Sequence, residues 1–179
     1  IYDLSPEHKP ENLKALYEDL AFKAFETKGE SELKPRDGAG AGARDGHGGG
    51  GITTASQQLG PIIVSTMIVA NPVGVIGAKG PVSLLDTKLK RLRPNAQTTI
   101  GMISTNICAS RLELQRVAIM AHDGMARAIT PCHTPFDGDM LFALSTNTQS
   151  IPLERNLLTL TLGHLAAQAV ERALLKLAS

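Results

Sequence analysis

The chain has 179 residues, of which 42% are hydrophobic, 20% charged and 3% aromatic. This length and composition predict a globular domain with one hydrophobic core. A formal net charge of +1 and the lack of tryptophan argue against nucleic acid or an anionic membrane surface as a partner. No uninterrupted apolar segment is long enough for a membrane-spanning helix. The two cysteines, Cys108 and Cys132, lack the spacing of a metal site, and we interpret them as reduced, buried residues of a cytoplasmic protein rather than as a disulfide.

The first half of the chain contains a predicted helix, a glycine-rich loop and a strand. Apolar residues recur at helical spacing over residues 10–25, which predicts an amphipathic helix. The glycine run at residues 38–51 is predicted to be a loop, because ordering so many glycines has a large entropic cost. The apolar run at residues 61–70 predicts a strand covered on both faces. Asn71-Pro72 ends that strand.

The second half begins after a basic segment with a proline, residues 79–97, which predicts an exposed linker. Residues 98–107 follow as an apolar strand. Ser110 and Glu113 have the spacing of a capping box and predict the start of a helix that reaches about residue 129. Two further elements are predicted, a strand at 140–146 and a mostly apolar helix at 156–177 that is buried in the core or in an oligomer interface.

Thr98 is a hydroxyl residue at the start of the strand that follows the linker. A threonine hydroxyl is a weak nucleophile and needs an adjacent base, which a free α-amino group on the same residue can supply. Cleavage of the Gln97–Thr98 bond would therefore produce a nucleophile and its base on one residue. The alternative is that Thr98 simply begins a β-strand, since threonine is common there.

Four segments match, in the same order, motifs of one protein family. They are residues 1–4, 38–51, 71–75 and 98–146. Together they resemble the L-aminopeptidase/D-esterase family of self-processing N-terminal-nucleophile hydrolases, which includes the β-aminopeptidases and the nylon-oligomer hydrolase. The resemblance implies an α+β fold, the four-layer αββα sandwich, and no metal or cofactor. It also implies that an N-terminal part of the fold is missing from this chain. Residues 1–97 would be the C-terminal part of the α-subunit and residues 98–179 the β-subunit, together forming one domain.

Asp137 and Asp139 place two carboxylates on one side of an extended segment. Such a pair can hold an ammonium, orient a hydroxyl or share a proton. An Asp-Gly turn is the alternative, and it is the more frequent role of this tripeptide. By resemblance, the two residues match the pair that assists the nucleophile.

Three other residues are candidates by resemblance. Asn71 matches the asparagine that stabilises the oxyanion, although a turn role before Pro72 is the alternative. Tyr2 matches the active-site tyrosine, and a strand residue with a buried ring is equally consistent with the sequence. His47 stands where relatives commonly have lysine, so it is either a partly charged hydrogen-bond donor or an exposed loop residue without a role.

Several further features have competing interpretations. The glycine run lacks the strand, helix and spacing of a nucleotide-binding loop. His122 and His133 lack metal-ligand spacing and are interpreted as structural. Gln97 stands where relatives have asparagine or a small residue, which predicts slow or incomplete self-cleavage.

These observations predict a self-cleaving amide hydrolase, an aminopeptidase or amidase with possible esterase activity. Its substrates would be small peptides, amides or esters that carry a free amine. The expected partners are the two subunits formed by cleavage and further copies in a homo-oligomer, with neither nucleic acid nor membrane. The alternative is an uncleaved, non-catalytic family member that acts as a binding or assembly subunit.

Overall fold

A computed structural model describes residues 13–26, 33–80 and 97–178 of the chain. Its helices are α1 (Leu13–Glu26), α2 (Arg111–Ala128) and α3 (Arg155–Leu175), with a short 3-10 turn at Gly38–Gly40. Its strands are β1 (Gly51–Leu59), β2 (Ile62–Asn71), β3 (Val75–Ile76), β4 (Thr98–Ile107), β5 (Ile129–Thr130) and β6 (Met140–Gln149). The helices and strands predicted from the sequence are all present in the described part. Tyr2 and residues 81–96 of the predicted linker lie outside it.

Four strands form one sheet in the order β1-β2-β4-β6. Strands β1 and β2 are an antiparallel hairpin whose turn follows the pair Leu59 and Ile62, and Gly60 in that turn has a φ of 55°, a conformation that glycine adopts readily. Strand β4 is antiparallel to β2 and parallel to β6. Helix α2 provides the crossover that a parallel pair requires.

Strand β1 was not predicted from the sequence. The prediction treated the glycine run as a loop through Gly51, yet β1 begins at that residue. The strand is an edge strand of the described sheet and is rich in Thr, Ser and Gln. Its few apolar residues give a weak periodic signal, so pairing with β2 rather than local propensity determines its conformation.

The core lies between the sheet and the layer formed by α2 and α3. Helix α3 packs on β1 and β2, and α2 packs on α3 and β6. A Cβ atom built on Gly124 would lie 2.0 Å from the carbonyl oxygen of Ala167, so this glycine permits the close approach of the two helices. Helix α3 has ten buried residues among its 21, which confirms that one side of it lies in the core. The expectation that it is largely buried is wrong for its other side, where Leu157, Leu160 and Leu175 are exposed.

The opposite face of the sheet is apolar and exposed in the described part of the chain. Met67, Met102 and Phe142 lie side by side in register across β2, β4 and β6, and each is 44% to 56% exposed. The prediction that β2 is covered on both faces is therefore wrong for the described residues, because its burial alternates from Ile62 to Met67.

The predicted capping box at the start of α2 is confirmed. The Ser110 hydroxyl accepts a hydrogen bond from the Glu113 amide, and the Glu113 carboxylate accepts one from the Ser110 amide. These bonds satisfy backbone donors that have no partner within the helix. Among the described residues, no helix has the length and apolar character needed to cross a membrane.

Candidate active site

Strands β2 and β4 place Asn71 opposite Thr98 at one end of the sheet. Residues directly opposite in an antiparallel pair have Cβ atoms roughly 4.5–5.5 Å apart on the same face. Thr98 is partly buried and shares its face of β4 with the exposed Ile100 and Met102. The next residue, Thr99, has an exposure of 0% and belongs to the face covered by helices. The two adjacent threonines therefore have opposite environments.

The side chain of Thr98 is folded back towards the peptide bond that precedes it. Its hydroxyl donates a hydrogen bond to the carbonyl oxygen of Gln97, with 2.6 Å between the two oxygens. The amide of Gly138 donates to the same carbonyl oxygen at 2.9 Å. The Gln97 carbonyl is thus next to the hydroxyl and polarised by a backbone N–H group.

Gly138 is a site residue that the sequence interpretation missed. A Cβ atom at this position would lie 2.9 Å from the Thr98 Oγ1 atom, so a side chain would displace the hydroxyl. The only sequence signal was a glycine between two aspartates, which equally fits a simple turn.

Asp137 connects the loop after β2 to the loop before β6. Its Oδ1 atom accepts a hydrogen bond from the Val73 amide at 3.0 Å. Its Oδ2 atom accepts from the amide and the hydroxyl of Thr134 at 2.9 and 2.6 Å. Through these bonds the carboxylate fixes the loop that carries Gly138.

Asp139 holds the backbone of the nucleophile strand. Its Oδ1 atom accepts from the Thr99 amide at 2.8 Å, and its Oδ2 atom lies 2.8 Å from His133 Nδ1. The side chain is 3% exposed. The structure therefore brings both carboxylates to the Gln97–Thr98 bond, where they bind amides of neighbouring residues. Their orienting of the Thr98 ammonium and hydroxyl stays a prediction.

The two histidines near this site contact each other. His122 Nδ1 lies 3.2 Å from His133 Nε2, which links α2 to the loop before β6. Burial lowers the pKa of His122, and the neighbouring His133 lowers it further, against the opposing charges of Asp139 and Asp123. The sequence suggested structural histidines, and it did not reveal that they extend the Asp139 hydrogen-bond network.

Asn71 is buried, with an exposure of 5%. Its Oδ1 atom accepts a hydrogen bond from the Arg44 amide at 2.9 Å. Because Oδ1 accepts from the Arg44 amide, the side chain is oriented with Nδ2, its hydrogen-bond donor, at the other end of the amide group. The oxyanion-binding role of Asn71 stays a prediction.

The glycine-rich loop is organised by Asp45, which the sequence interpretation also missed. Its carboxylate accepts hydrogen bonds from the amides of His47, Gly49 and Ile76 at 2.8 to 2.9 Å. The backbone of His47 is thereby fixed while the residue itself is exposed. Its role, like that of Tyr2 outside the described residues, stays a prediction.

Cys132, His133 and Asp139 have potential ligand atoms within 4.8 Å of one another. Burial raises the pKa of the Cys132 thiol to about 12, with a smaller contribution from Asp139, so the thiol keeps its proton near neutral pH. His133 and Asp139 are hydrogen-bonded to each other, and Asp139 also accepts from the Thr99 amide, so both side chains already have hydrogen-bonding roles that a metal ion would displace. Cys108 and Cys132 are both free, and they are only partly buried, so the expectation that they are buried is wrong.

The chain is similar to known proteins in sequence and in fold. It belongs to peptidase family S58, whose model matches residues 13–177. The family resemblance inferred from the sequence is therefore confirmed.

Two relatives and one solved structure illustrate the similarity. An uncharacterised aminopeptidase of Mycobacterium tuberculosis strain H37Rv is 31% identical over 191 residues, which cover 88% of this chain and 56% of the relative. A 6-aminohexanoate-oligomer endohydrolase of Kocuria sp. strain KY2 is 33% identical over 123 residues, covering 57% of this chain and 35% of that protein. The chain thus spans about half the length, or less, of these relatives.

The solved structure is the L-aminopeptidase D-Ala-esterase/amidase of Ochrobactrum anthropi, described as a variant of the N-terminal-nucleophile hydrolase fold. It has a TM-score of 0.54 at 21% identity and covers 77% of this chain and 42% of that one. This likeness concerns the fold and confirms the predicted α+β class. In this chain, the described residues form one four-stranded sheet with a layer of two helices packed on it.

Proposed function

We propose that this chain carries the nucleophile of a self-cleaving amide hydrolase, an aminopeptidase or amidase with possible esterase activity, in which Thr98 acts first on its own backbone. The observation that supports this proposal is the position of the Thr98 hydroxyl 2.6 Å from the Gln97 carbonyl oxygen, together with the Gly138 amide on the same oxygen. Preorganised N–H donors of this kind stabilise the negative charge of a tetrahedral intermediate.

The proposed maturation moves the acyl group from nitrogen to oxygen. The Thr98 hydroxyl oxygen attacks the Gln97 carbonyl carbon, and the developing oxyanion is stabilised by the Gly138 N–H group. The carbon–nitrogen bond then breaks, and the nitrogen takes up the proton lost by the hydroxyl. Water hydrolyses the resulting ester, which releases a carboxylate on Gln97 and a free α-amine on Thr98.

The mature site would hydrolyse substrates with the same hydroxyl. The free amine of Thr98 accepts the hydroxyl proton during attack on the substrate carbonyl. Asn71 donates to the oxyanion, and Asp137 and Asp139 orient the Thr98 ammonium and hydroxyl. An acyl-enzyme ester forms and water releases the acyl group. Tyr2 and His47 are secondary candidates for contacts with the nucleophile or the substrate.

We infer that the substrates are amides or small peptides whose acyl part is a small amino acid or an ω-amino acid. This inference depends on relatives named as aminopeptidases and as a 6-aminohexanoate-oligomer endohydrolase. The cleaved parts, residues 1–97 and 98–179, would remain associated as subunits of one domain and assemble into a homo-oligomer. Their extensive β2–β4 pairing across the cut supports continued association.

The two adjacent threonines provide a matched test. The full-length protein is expressed as wild type, Thr98→Ala and Thr99→Val, and each is examined by intact mass and N-terminal sequencing. We expect a fragment that begins at Thr98 in the wild type and in Thr99→Val, and no fragment in Thr98→Ala. Because the Thr99 hydroxyl is buried without a hydrogen-bond partner among the described residues, Thr99→Val should preserve or increase stability. A folded wild-type protein that stays uncut would contradict the proposal and favour a non-catalytic assembly subunit.

A further inference from the structure

A row of three side chains leads from a surface depression to the nucleophile strand. His122 Nδ1 lies 3.2 Å from His133 Nε2, and His133 Nδ1 lies 2.8 Å from Asp139 Oδ2. The other oxygen of Asp139 accepts the Thr99 amide at 2.8 Å. His122 is partly buried, His133 is the most exposed member of the row with a side chain 39% exposed, and the Asp139 side chain is only 3% exposed. The row therefore connects solvent to the backbone beside Thr98.

The depression has a volume of about 420 Å³ and is lined by Ile119, His122, His133, Thr134, Asp137 and Asp139. It lies on the side of the sheet that carries α2, where His122 originates. Thr98 belongs to the opposite face of β4, as the alternation of buried and exposed residues along the strand indicates. The two imidazoles are thus connected to β4 through Asp139 and the Thr99 amide.

The hydrogen-bond row has a defined polarity. An ionised carboxylate only accepts hydrogen bonds, so His133 Nδ1 carries the hydrogen that binds Asp139. In a neutral His133 ring, Nε2 is then an acceptor, and His122 Nδ1 must donate to it. The row is complete when both rings are neutral. It also tolerates one added proton, since a charged His133 donates from both nitrogens and a neutral His122 can accept at Nδ1.

A second added proton breaks the row. With both rings charged, two N–H groups would face each other across 3.2 Å, in addition to the repulsion between the two positive charges. Burial is the larger cause of the lowered pKa of His122, and the charge of His133 adds to it. The imidazole pair therefore keeps its hydrogen-bonded geometry when one proton is added. It loses that geometry when a second proton is added.

We propose that His122 and His133 are positioning residues that hold the Asp139 carboxylate, and through it the Thr99 amide, in the geometry that Thr98 needs to attack. This inference rests on the proposed self-cleavage. Strand β4 and its neighbours fix Thr99 from one side, and the imidazole pair fixes Asp139 from the other. Supporting hydrogen bonds of this kind determine how accurately a reacting group is held.

Other titratable groups surround the pair. Asp123 lies on α2 beside His122, and the loop before β6 contributes Cys132, Asp137 and Asp139. The Cys132 thiol stays protonated at neutral pH because burial raises its pKa to about 12. Asp137 is engaged with Val73 and Thr134. We therefore expect self-cleavage to slow at acidic pH when the imidazole pair takes up its second proton.

The backbone conformation of His133 allows two substitutions that differ in whether they keep a hydrogen-bond donor. Its φ is 55°, a conformation that asparagine and glycine tolerate better than alanine does. The amide nitrogen of asparagine lies as many bonds from the backbone as Nδ1 does, so His133→Asn can keep a donor to Asp139. His133→Gly removes it. His164→Asn, an exposed histidine on α3, is the control for loss of a histidine elsewhere.

The test follows self-cleavage of the full-length protein by intact mass over a pH series, with thermal unfolding measured for each variant. We expect His133→Gly to slow cleavage by about ten- to a hundredfold, the effect of losing a hydrogen bond to a charged group, and His133→Asn to restore most of the rate. The self-cleavage rates of the wild type and of His164→Asn should fall in the same way as the pH is lowered. His133→Asn should keep more of its rate as the pH falls than the wild type does, whereas a merely structural role for His133 would leave the two pH profiles parallel.

The outcomes separate this inference from the proposed function. Wild-type cleavage that Thr98→Ala abolishes, together with unchanged rates and an unchanged pH profile in both His133 variants, would overturn the positioning role and keep Thr98 as the nucleophile. A wild type that folds and does not cleave would overturn both. If His133→Gly does not fold, the pH profile of His133→Asn still decides, since a shallower fall in acid than that of the wild type supports the inference and a parallel profile overturns it.

Discussion

The two ends of β4 use the same chemistry over very different sequence distances. At its C-terminal end, Glu113 binds the amide of Ser110, three residues away, and begins α2. At its N-terminal end, Asp139 binds the amide of Thr99, 40 residues away, and Asp137 binds the amide of Val73, 64 residues away. In each case a carboxylate accepts from a backbone N–H group. The local pair initiates a helix, whereas the distant pairs bring two loops and the start of β4 together at one peptide bond.

This difference predicts different consequences for substitutions at the two ends. A local cap stabilises its own helix, so its loss should reduce stability and leave self-cleavage intact. A carboxylate that joins distant loops sets the geometry of the Gln97–Thr98 bond, so its loss should affect cleavage much more than stability. The four predictions below test this contrast in order of decreasing effect.

Asp137→Ala should have the largest effect. It removes the acceptor of three hydrogen bonds that join Val73 and Thr134 to the loop containing Gly138. We expect self-cleavage to slow by roughly a hundredfold or more, as expected when several hydrogen bonds to a charged group are lost together. Time-resolved intact mass measures the rate. Asp123→Ala, an exposed carboxylate on α2, is the control, and equal rates in the two variants would contradict the account.

Gly138→Ala should slow cleavage by about tenfold or more, since misplacing reacting groups by even an ångström is costly. The added Cβ would lie 2.9 Å from Thr98 Oγ1 and would push the hydroxyl from the Gln97 carbonyl. The measurement is the cleavage rate together with the melting temperature. A variant that cleaves at the wild-type rate would show that Thr98 does not need the close approach of this loop.

Ser110→Ala should reduce the free energy of unfolding by about 1 kcal/mol, the usual cost of losing an N-cap side chain. The cleavage rate should stay unchanged, because this cap is at the other end of β4. Denaturant unfolding of the Thr98→Ala background gives the stability without interference from cleavage. Ser110→Asp is the matched variant and should keep the cap. A large loss of cleavage in Ser110→Ala would remove the distinction between the two ends.

The smallest effect concerns acid stability at the same cap. Burial tends to raise the pKa of Glu113, but hydrogen bonds from Ser110 and the ion pair with Arg155 outweigh it and lower the pKa below its ordinary value of 4.5. A lowered folded-state pKa gives stability that is present above the unfolded value and is lost as pH falls through the folded one. Glu113→Gln should therefore show a smaller drop in unfolding free energy between pH 7 and pH 3, measured by denaturant titration at both pH values.

The sequence predicts the local features of this molecule and misses the distant ones. The capping box, β4 and helix α3 follow from spacing and periodicity, and all three are confirmed. Strand β1 was missed because its polar residues form a strand only when paired with β2. The candidates Thr98, Asn71, Asp137 and Asp139 came from family resemblance, and the structure brings them to one end of the sheet.

What the sequence could not indicate is which atoms those residues contact. Asp139 could be matched to a family position, but its bond to the Thr99 amide depends on the parallel register of β4 and β6. His122 and His133 have no recognisable spacing, because one lies on a helix and the other on the loop that returns towards the sheet. Gly138 acts through its backbone amide and the absence of a Cβ atom, and neither leaves a distinctive sequence pattern.

The most direct test of the central claim is to trap the acyl group on the nucleophile. The mature protein is mixed with a chromogenic amide or ester of a small amino acid or of 6-aminohexanoate, the reaction is quenched in acid during turnover, and the peptides are analysed by mass spectrometry. We predict a peptide that begins at Thr98 and carries the mass of the acyl group on that residue. Turnover with an unmodified Thr98 peptide and an acyl group on another residue would contradict the account.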